Sequence, residues 1–126
     1  MRAVDTNVLV RLLVRDDAKQ TAAAEEFVQN GAWASHIALV ETVWVLESYY
    51  EKSRDEIAQV IGGWLDHKTL IMQDADVVAA ALDVFRSNKG VDFADCLILE
   101  VSRKAGHTPL GTFDIKLAEI NGSALI

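Results

Sequence analysis

Short apolar runs of three to six residues alternate with longer segments of helical spacing along the whole chain, and this alternation constrains the fold more than any other feature. Arg2–Asp5 reads as a buried strand, with a turn at Asp5-Thr6-Asn7 and a helix in which Val8, Leu9, Leu12 and Leu13 recur. Asp16-Asp17 caps a second helix that runs through Val28 and stops at Asn30-Gly31. Ala32–Ser35 makes a very short strand, and Ile37–Tyr50 returns to helical spacing. Ser53 opens the next helix, with Glu56 completing a capping box and Ile57, Val60, Ile61, Trp64 and Leu65 turned inward.

Thr69–Met72 is a second clear strand. Asp74 or Asp76 opens a helix through Phe85 that ends near Asn88-Lys89-Gly90. Asp92 opens another, with Leu97, Ile98 and Val101 on one face and Gly106 closing it. Thr108–Phe113 is a third strand, with Asp114 at its end. A short helix at Lys116–Ile120, a turn at Asn121-Gly122 and an edge strand at Ala124–Ile126 complete the chain. Strands alternating with helices predict an α/β fold of three α/β/α layers around a mostly parallel sheet. The length of 126 residues fits one domain, 1–126, and a hydrophobic share of 51% suffices for its core.

Cys96 is the only cysteine, so no disulfide forms within the chain; that suits a reducing cytoplasm, and Cys96 itself reads as a small buried residue. The opening Met-Arg-Ala-Val-Asp lacks the apolar stretch of a signal peptide. No run approaches the roughly 20 apolar residues of a membrane span. A net charge of −7 counts against binding nucleic acid through charge alone. It counts less against a site where metal ions cancel part of the negative charge.

Most of the nineteen acids fall where a polar helix face belongs, among them Glu25, Glu26, Glu47, Glu51, Asp55, Asp66, Asp83 and Glu119. Four others form a pattern. Asp5 and Asp114 end apolar strands, and ligands of parallel α/β sheets bind outside the carboxyl ends of strands. Asp95 lies in the first turn of a helix, and Glu41 interrupts the most apolar stretch, Ile37–Leu46, where a buried carboxylate would need a partner. Each admits a plainer reading: caps for Asp5 and Asp114, a helix-dipole contact for Asp95 with Asp92 as cap, and a solvent-facing position for Glu41. Together they suit Mg²⁺ or Mn²⁺, which prefer hard oxygen ligands. Such an ion activates water and offsets phosphoryl charge, so no histidine base is needed. His36, His67 and His107 show no ligand spacing and read as structural or surface residues.

Ala3-Val4-Asp5-Thr6-Asn7-Val8-Leu9, Leu39-Val40-Glu41-Thr42-Val43-Trp44-Val45-Leu46, Asp92-Phe93-Ala94-Asp95-Cys96-Leu97-Ile98 and Thr112-Phe113-Asp114-Ile115-Lys116-Leu117 together resemble the acidic motifs of PIN-domain ribonucleases. Within that family the closest group is the VapC-like toxins of bacterial and archaeal toxin–antitoxin pairs. The resemblance implies a parallel sheet of about five strands between helices. It also implies one or two Mg²⁺ or Mn²⁺ ions held by Asp5, Glu41, Asp95 and Asp114 as the catalytic set, with Asp92 as an additional acid. Thr6 and Thr112 would orient carboxylates, and Asn7 would contact Asp5 or the substrate. The implied substrate is RNA, cleaved to 5′-phosphate and 3′-hydroxyl ends; the implied partners are a small antitoxin and a second copy of the chain.

Arg11, Arg15, Lys89 and Lys116 flank the motifs and are candidates to contact RNA, against a plainer role as solvated surface charges. Trp33, Trp44 and Trp64 read as core or interface residues. Two other readings compete. A phosphatase of haloacid-dehalogenase type would use Asp5 as nucleophile, but wants a second Asp where Asn7 stands. A catalytically inactive PIN-like binding module would have lost its acids, and all four are present.

Overall fold

Every strand lasts only three residues before the backbone turns away. The computed structural model describes all residues, Met1–Ile126. They form two compact units, Met1–Ala75 and Asp76–Ile126. The first unit contains β1 (Arg2–Val4), α1 (Thr6–Leu13), α2 (Ala18–Val28), β2 (Ala32–Ala34), α3 (His36–Ser48), α4 (Arg54–Leu65) and β3 (Leu70–Met72). The second is built from α5 (Ala75–Ser87), α6 (Phe93–Lys104), β4 (Leu110–Thr112), α7 (Ile115–Ala118) and β5 (Ser123–Leu125).

In the first unit β1, β2 and β3 pair in that order, all parallel, with Arg2 opposite Ala32 and Ala32 opposite Leu70. Parallel neighbours need crossovers, which α1–α2 and α3–α4 supply. The start signals hold as local chemistry. Asp17 accepts the Gln20 N–H at 3.0 Å, and Ser53 and Glu56 form a reciprocal capping box. Ser35, expected to end a strand, instead caps α3 by accepting the Ala38 N–H at 3.1 Å. Gly31 follows α2 with φ +104°, a conformation that costs a residue with a Cβ. Burial alternates along β2 and β3: Ala32, Ala34, Leu70 and Met72 are buried, while Trp33 and its register partner Ile71 are partly exposed. The core of this unit includes Leu9, Leu39, Leu46, Ile57, Ile61 and Leu70.

In the second unit β4 and β5 pair in parallel, Leu110 opposite Ser123 and Thr112 opposite Leu125. The five parallel strands therefore occur as a three-stranded and a two-stranded sheet, within the α/β class the alternation predicts. Phe85 of α5 meets Phe93 of α6 edge to face, centroids 5.8 Å apart, among buried Val78, Cys96, Leu97 and Leu99.

The three apolar residues read on one face of α6 do not share one degree of burial. Leu97 is buried, but Ile98 is 50% and Val101 40% exposed; Phe93, Cys96, Leu99 and Glu100 are the inward residues. Residues 96–101 are apolar on nearly every side of the helix, so spacing alone does not select the face. Glu100 needs a partner at such a position, and Arg103 supplies one at 3.1 Å while donating to the Asn121 carbonyl at 2.8 Å. A Cβ at Gly122, with φ +96°, would stand 2.9 Å from the Arg103 guanidinium, so glycine makes room for this bridge.

Two consequences follow for denaturant unfolding. Leu99→Ala should cost about 2–5 kcal/mol, against about 0.5 kcal/mol or less for Ile98→Ala. Equal losses would contradict this orientation of α6. Arg103→Ala, which leaves Glu100 buried without its cation, should cost about 1.5–3 kcal/mol.

Candidate functional site

The first unit holds Asp5, Thr6, Asn7 and Glu41. Asp5 directly follows β1 and caps α1, its Oδ1 accepting the Val8 N–H at 3.3 Å. No other residue bonds its Oδ2, so capping leaves one oxygen free for a ligand. Thr6 Oγ1 donates to Glu41 Oε1 at 3.0 Å, which ties the start of α1 to the second turn of α3. Glu41 is exposed. The expectation that it is a buried charge therefore does not hold: it points outward beside exposed Ile37 and Trp44, and α3 carries apolar residues on both its inner and outer sides. Its orientation comes from the Thr6 hydroxyl, not from burial.

The second unit holds Asp92, Asp95, Thr112 and Asp114. Asp92 is the N-cap residue of α6, yet its side chain makes no capping bond. Asp114 caps α7, its Oδ1 accepting the N–H groups of Lys116 at 2.9 Å and Leu117 at 3.2 Å. Its other oxygen is unused. Thr112 Oγ1 accepts the Asp114 N–H at 3.0 Å, which fixes the acid's backbone at the end of β4. Partial burial raises the Asp95 carboxyl above its ordinary value, and the negative charges of Asp92 and Asp114 raise it further. None of these three acids has a cation paired with it, whereas Glu100 and Asp76 in the same unit do.

The structure contains no group of three His, Cys, Asp or Glu side chains close enough to hold an ion. The donor chemistry nevertheless suits a hard divalent cation. The donors are carboxylate oxygens, several with a free lone-pair face, and their mutual repulsion is what such an ion relieves.

The flanking cations divide. Arg11 forms an ion pair with Asp16 and lies 3.5 Å from the Tyr50 hydroxyl, and Arg15 pairs with Glu25. Lys89 and Lys116 are exposed, and the Lys116 stem runs 3.9 Å from the Cβ position of Gly90, at the loop before Asp92. His36 Nε2–H donates to the Gln73 carbonyl at 2.8 Å, and His67 Nδ1 accepts the N–H groups of Thr69 and Leu70. Both roles are structural. Trp64 is buried, while Trp33 and Trp44 are exposed by 36% and 68%. Sequence reasoning passed over Gln20, which shares a cavity with Asn7. No spacing signal could have found it, because it comes from a different helix.

The family model of the PIN domain matches residues 2–123, nearly the whole chain. No curated protein matches the chain significantly.

The raised Asp95 pKa has a signed consequence. A carboxyl whose pKa rises on folding adds stability when protonated, and that contribution is lost as pH climbs through the raised value. Asparagine imitates the protonated form. In chelator at neutral pH, Asp95→Asn should melt above the native protein, with the gap closing as pH falls below the carboxylate range. A lower melting temperature at neutral pH would contradict the repulsion described.

Proposed function

The chain belongs to the PIN domain family, a family generally of nucleases that bind RNA and typically take divalent metals, and from that premise we propose that it is a metal-dependent endoribonuclease, the toxin of a toxin–antitoxin pair. The observation that carries the nuclease reading is the set of unneutralised carboxylates at the starts of α1, α6 and α7, each within a stretch that resembles one of the family's acidic motifs. The toxin role rests on the resemblance of those motifs to VapC-like proteins. Its partners would be a small antitoxin and a second copy of the chain, for which exposed Ile37 and Trp44 on α3 offer apolar contact.

Asp5, Glu41, Asp95 and Asp114 would hold one or two Mg²⁺ or Mn²⁺ ions, with Asp92 an additional acid. The bound ion supplies water activation and charge neutralisation at the phosphoryl oxygens. Asp5 presents the carboxylate oxygen left over from capping α1, and Asp114 does the same from α7. Thr6 keeps Glu41 in one rotamer by donating to it, and Thr112 holds the backbone of Asp114. Asp95, whose pKa is raised by partial burial and by the charges of Asp92 and Asp114, would have that penalty offset by a bound cation. Water adds to phosphorus, the bond to the 3′-oxygen breaks, and that oxygen takes up a proton. The ends left are a 5′-phosphate and a 3′-hydroxyl. Lys89 and Lys116, which no acid neutralises, are placed to meet phosphate.

Asn caps a helix as well as Asp does, so Asp5→Asn should remain folded. Its Mg²⁺-dependent cleavage of RNA should drop to the level of the native protein in EDTA. Undiminished cleavage by this variant would sink the assignment of Asp5. Thr6→Val, which frees Glu41 without changing shape, should lower activity about 10–100-fold.

A further inference from the structure

Helices α1 and α2 leave a cavity of about 510 Å³, lined by Asn7, Val8 and Arg11 on one side and Gln20, Ala23 and Phe27 on the other. Small side chains on α2 keep it open, and its size lies within the roughly 300–1,000 Å³ of small-ligand pockets. Two of its lining residues have partners. Arg11 is held by Asp16, and Phe27 carries the Arg2 guanidinium 3.8 Å from its ring centroid. The side-chain amides of Asn7 and Gln20 bond no other residue; Gln20 uses only its backbone N–H, on Asp17. Two idle amides therefore face a preformed apolar slot, two residues along the chain from Asp5.

We propose that this cavity receives one unpaired adenine of the RNA strand next to the cleaved bond. The inference rests on the ribonuclease reading above and adds base selectivity to it. A carboxamide sets a donor beside an acceptor, the pattern that matches the exocyclic amine and neighbouring ring nitrogen of adenine. Val8, Ala23 and Phe27 supply apolar surface for the faces of the base, as single-stranded RNA readers do. Arg11, already neutralised by Asp16, adds little phosphate attraction, so the slot selects by edge and shape.

The test uses the full chain and short single-stranded oligoadenylate, oligouridylate and oligocytidylate, with binding followed by fluorescence anisotropy in chelator. The native protein should favour oligoadenylate about tenfold. Gln20→Ala should remove most of that preference without weakening oligouridylate, and Ala23→Phe, which fills the slot, should weaken oligoadenylate selectively. Both positions are exposed, so both variants should fold. A native protein without preference, or a preference that survives both substitutions, overturns the proposal. So do NMR signals of Ala23 and Ala24 that none of the oligonucleotides shifts; the slot would then belong to a protein segment. Failure of the ribonuclease reading shows separately, as absence of Mg²⁺-dependent cleavage of any oligonucleotide while the adenine preference persists.

Discussion

The helix N-cap is the interaction on which the rest of this structure depends. A strand of three residues contributes few ladder hydrogen bonds, and the chain enters a helix almost at once. The first N–H groups of that helix have no partner inside it and need an acceptor from the side chain just before. Asp5 after β1, Ser35 after β2 and Asp114 after β4 meet that need, each worth about 1 kcal/mol. Acids thus stand at strand ends first for reasons of backbone chemistry. Asp5 and Asp114 cap through one oxygen only, so capping and ligand binding are compatible roles of the same carboxylate.

What separates the candidate acids from the rest is the company they keep. Glu25, Asp16, Asp76 and Glu100 each have a basic partner. Asp92, Asp95 and Asp114 have each other. Concentrating like charge around a partly buried carboxyl is unfavourable to folding, in keeping with the upward shift of the Asp95 pKa. A protein tolerates such an arrangement more easily where a cation spends time there.

Much of the fold was legible in the sequence because its punctuation is local. Asp17, the Ser53–Glu56 box and Gly31 act within a turn of where they stand, so these helix ends could be placed from neighbours alone, whereas Ser35 reads as strand and the start of α5 stays open between Asp74 and Asp76. The facing of helices was less legible. On α6 the run Cys96–Val101 and on α3 the run Ile37–Leu46 are apolar around the helix, and nothing in the spacing says that Ile98 and Val101, or Glu41 and Trp44, face out. The family motifs located the candidate acids; the free oxygens on Asp5 and Asp114 and the hydroxyls that steady Glu41 and Asp114 needed coordinates. The pairing of Glu100 with Arg103 follows the local i,i+3 rule, whereas Gln20 and Asn7, which line one cavity from different helices, are residues that no local rule relates.

Acidity then constrains how an RNA strand could be gripped. With a net charge of −7, the chain engages Arg11, Arg15, Lys52, Arg103 and Lys104 with its own acids. Attraction between fixed cations and phosphates, which dominates the affinity of basic nucleic-acid binders, is correspondingly small. On the nuclease reading, affinity has to come instead from divalent ions between carboxylate and phosphate and from contacts to unpaired bases. Both demand that the strand be open and placed with its backbone over the acids. An acidic surface of this kind repels RNA until those short-range terms engage, so the same charge that weakens general binding sharpens discrimination among strands.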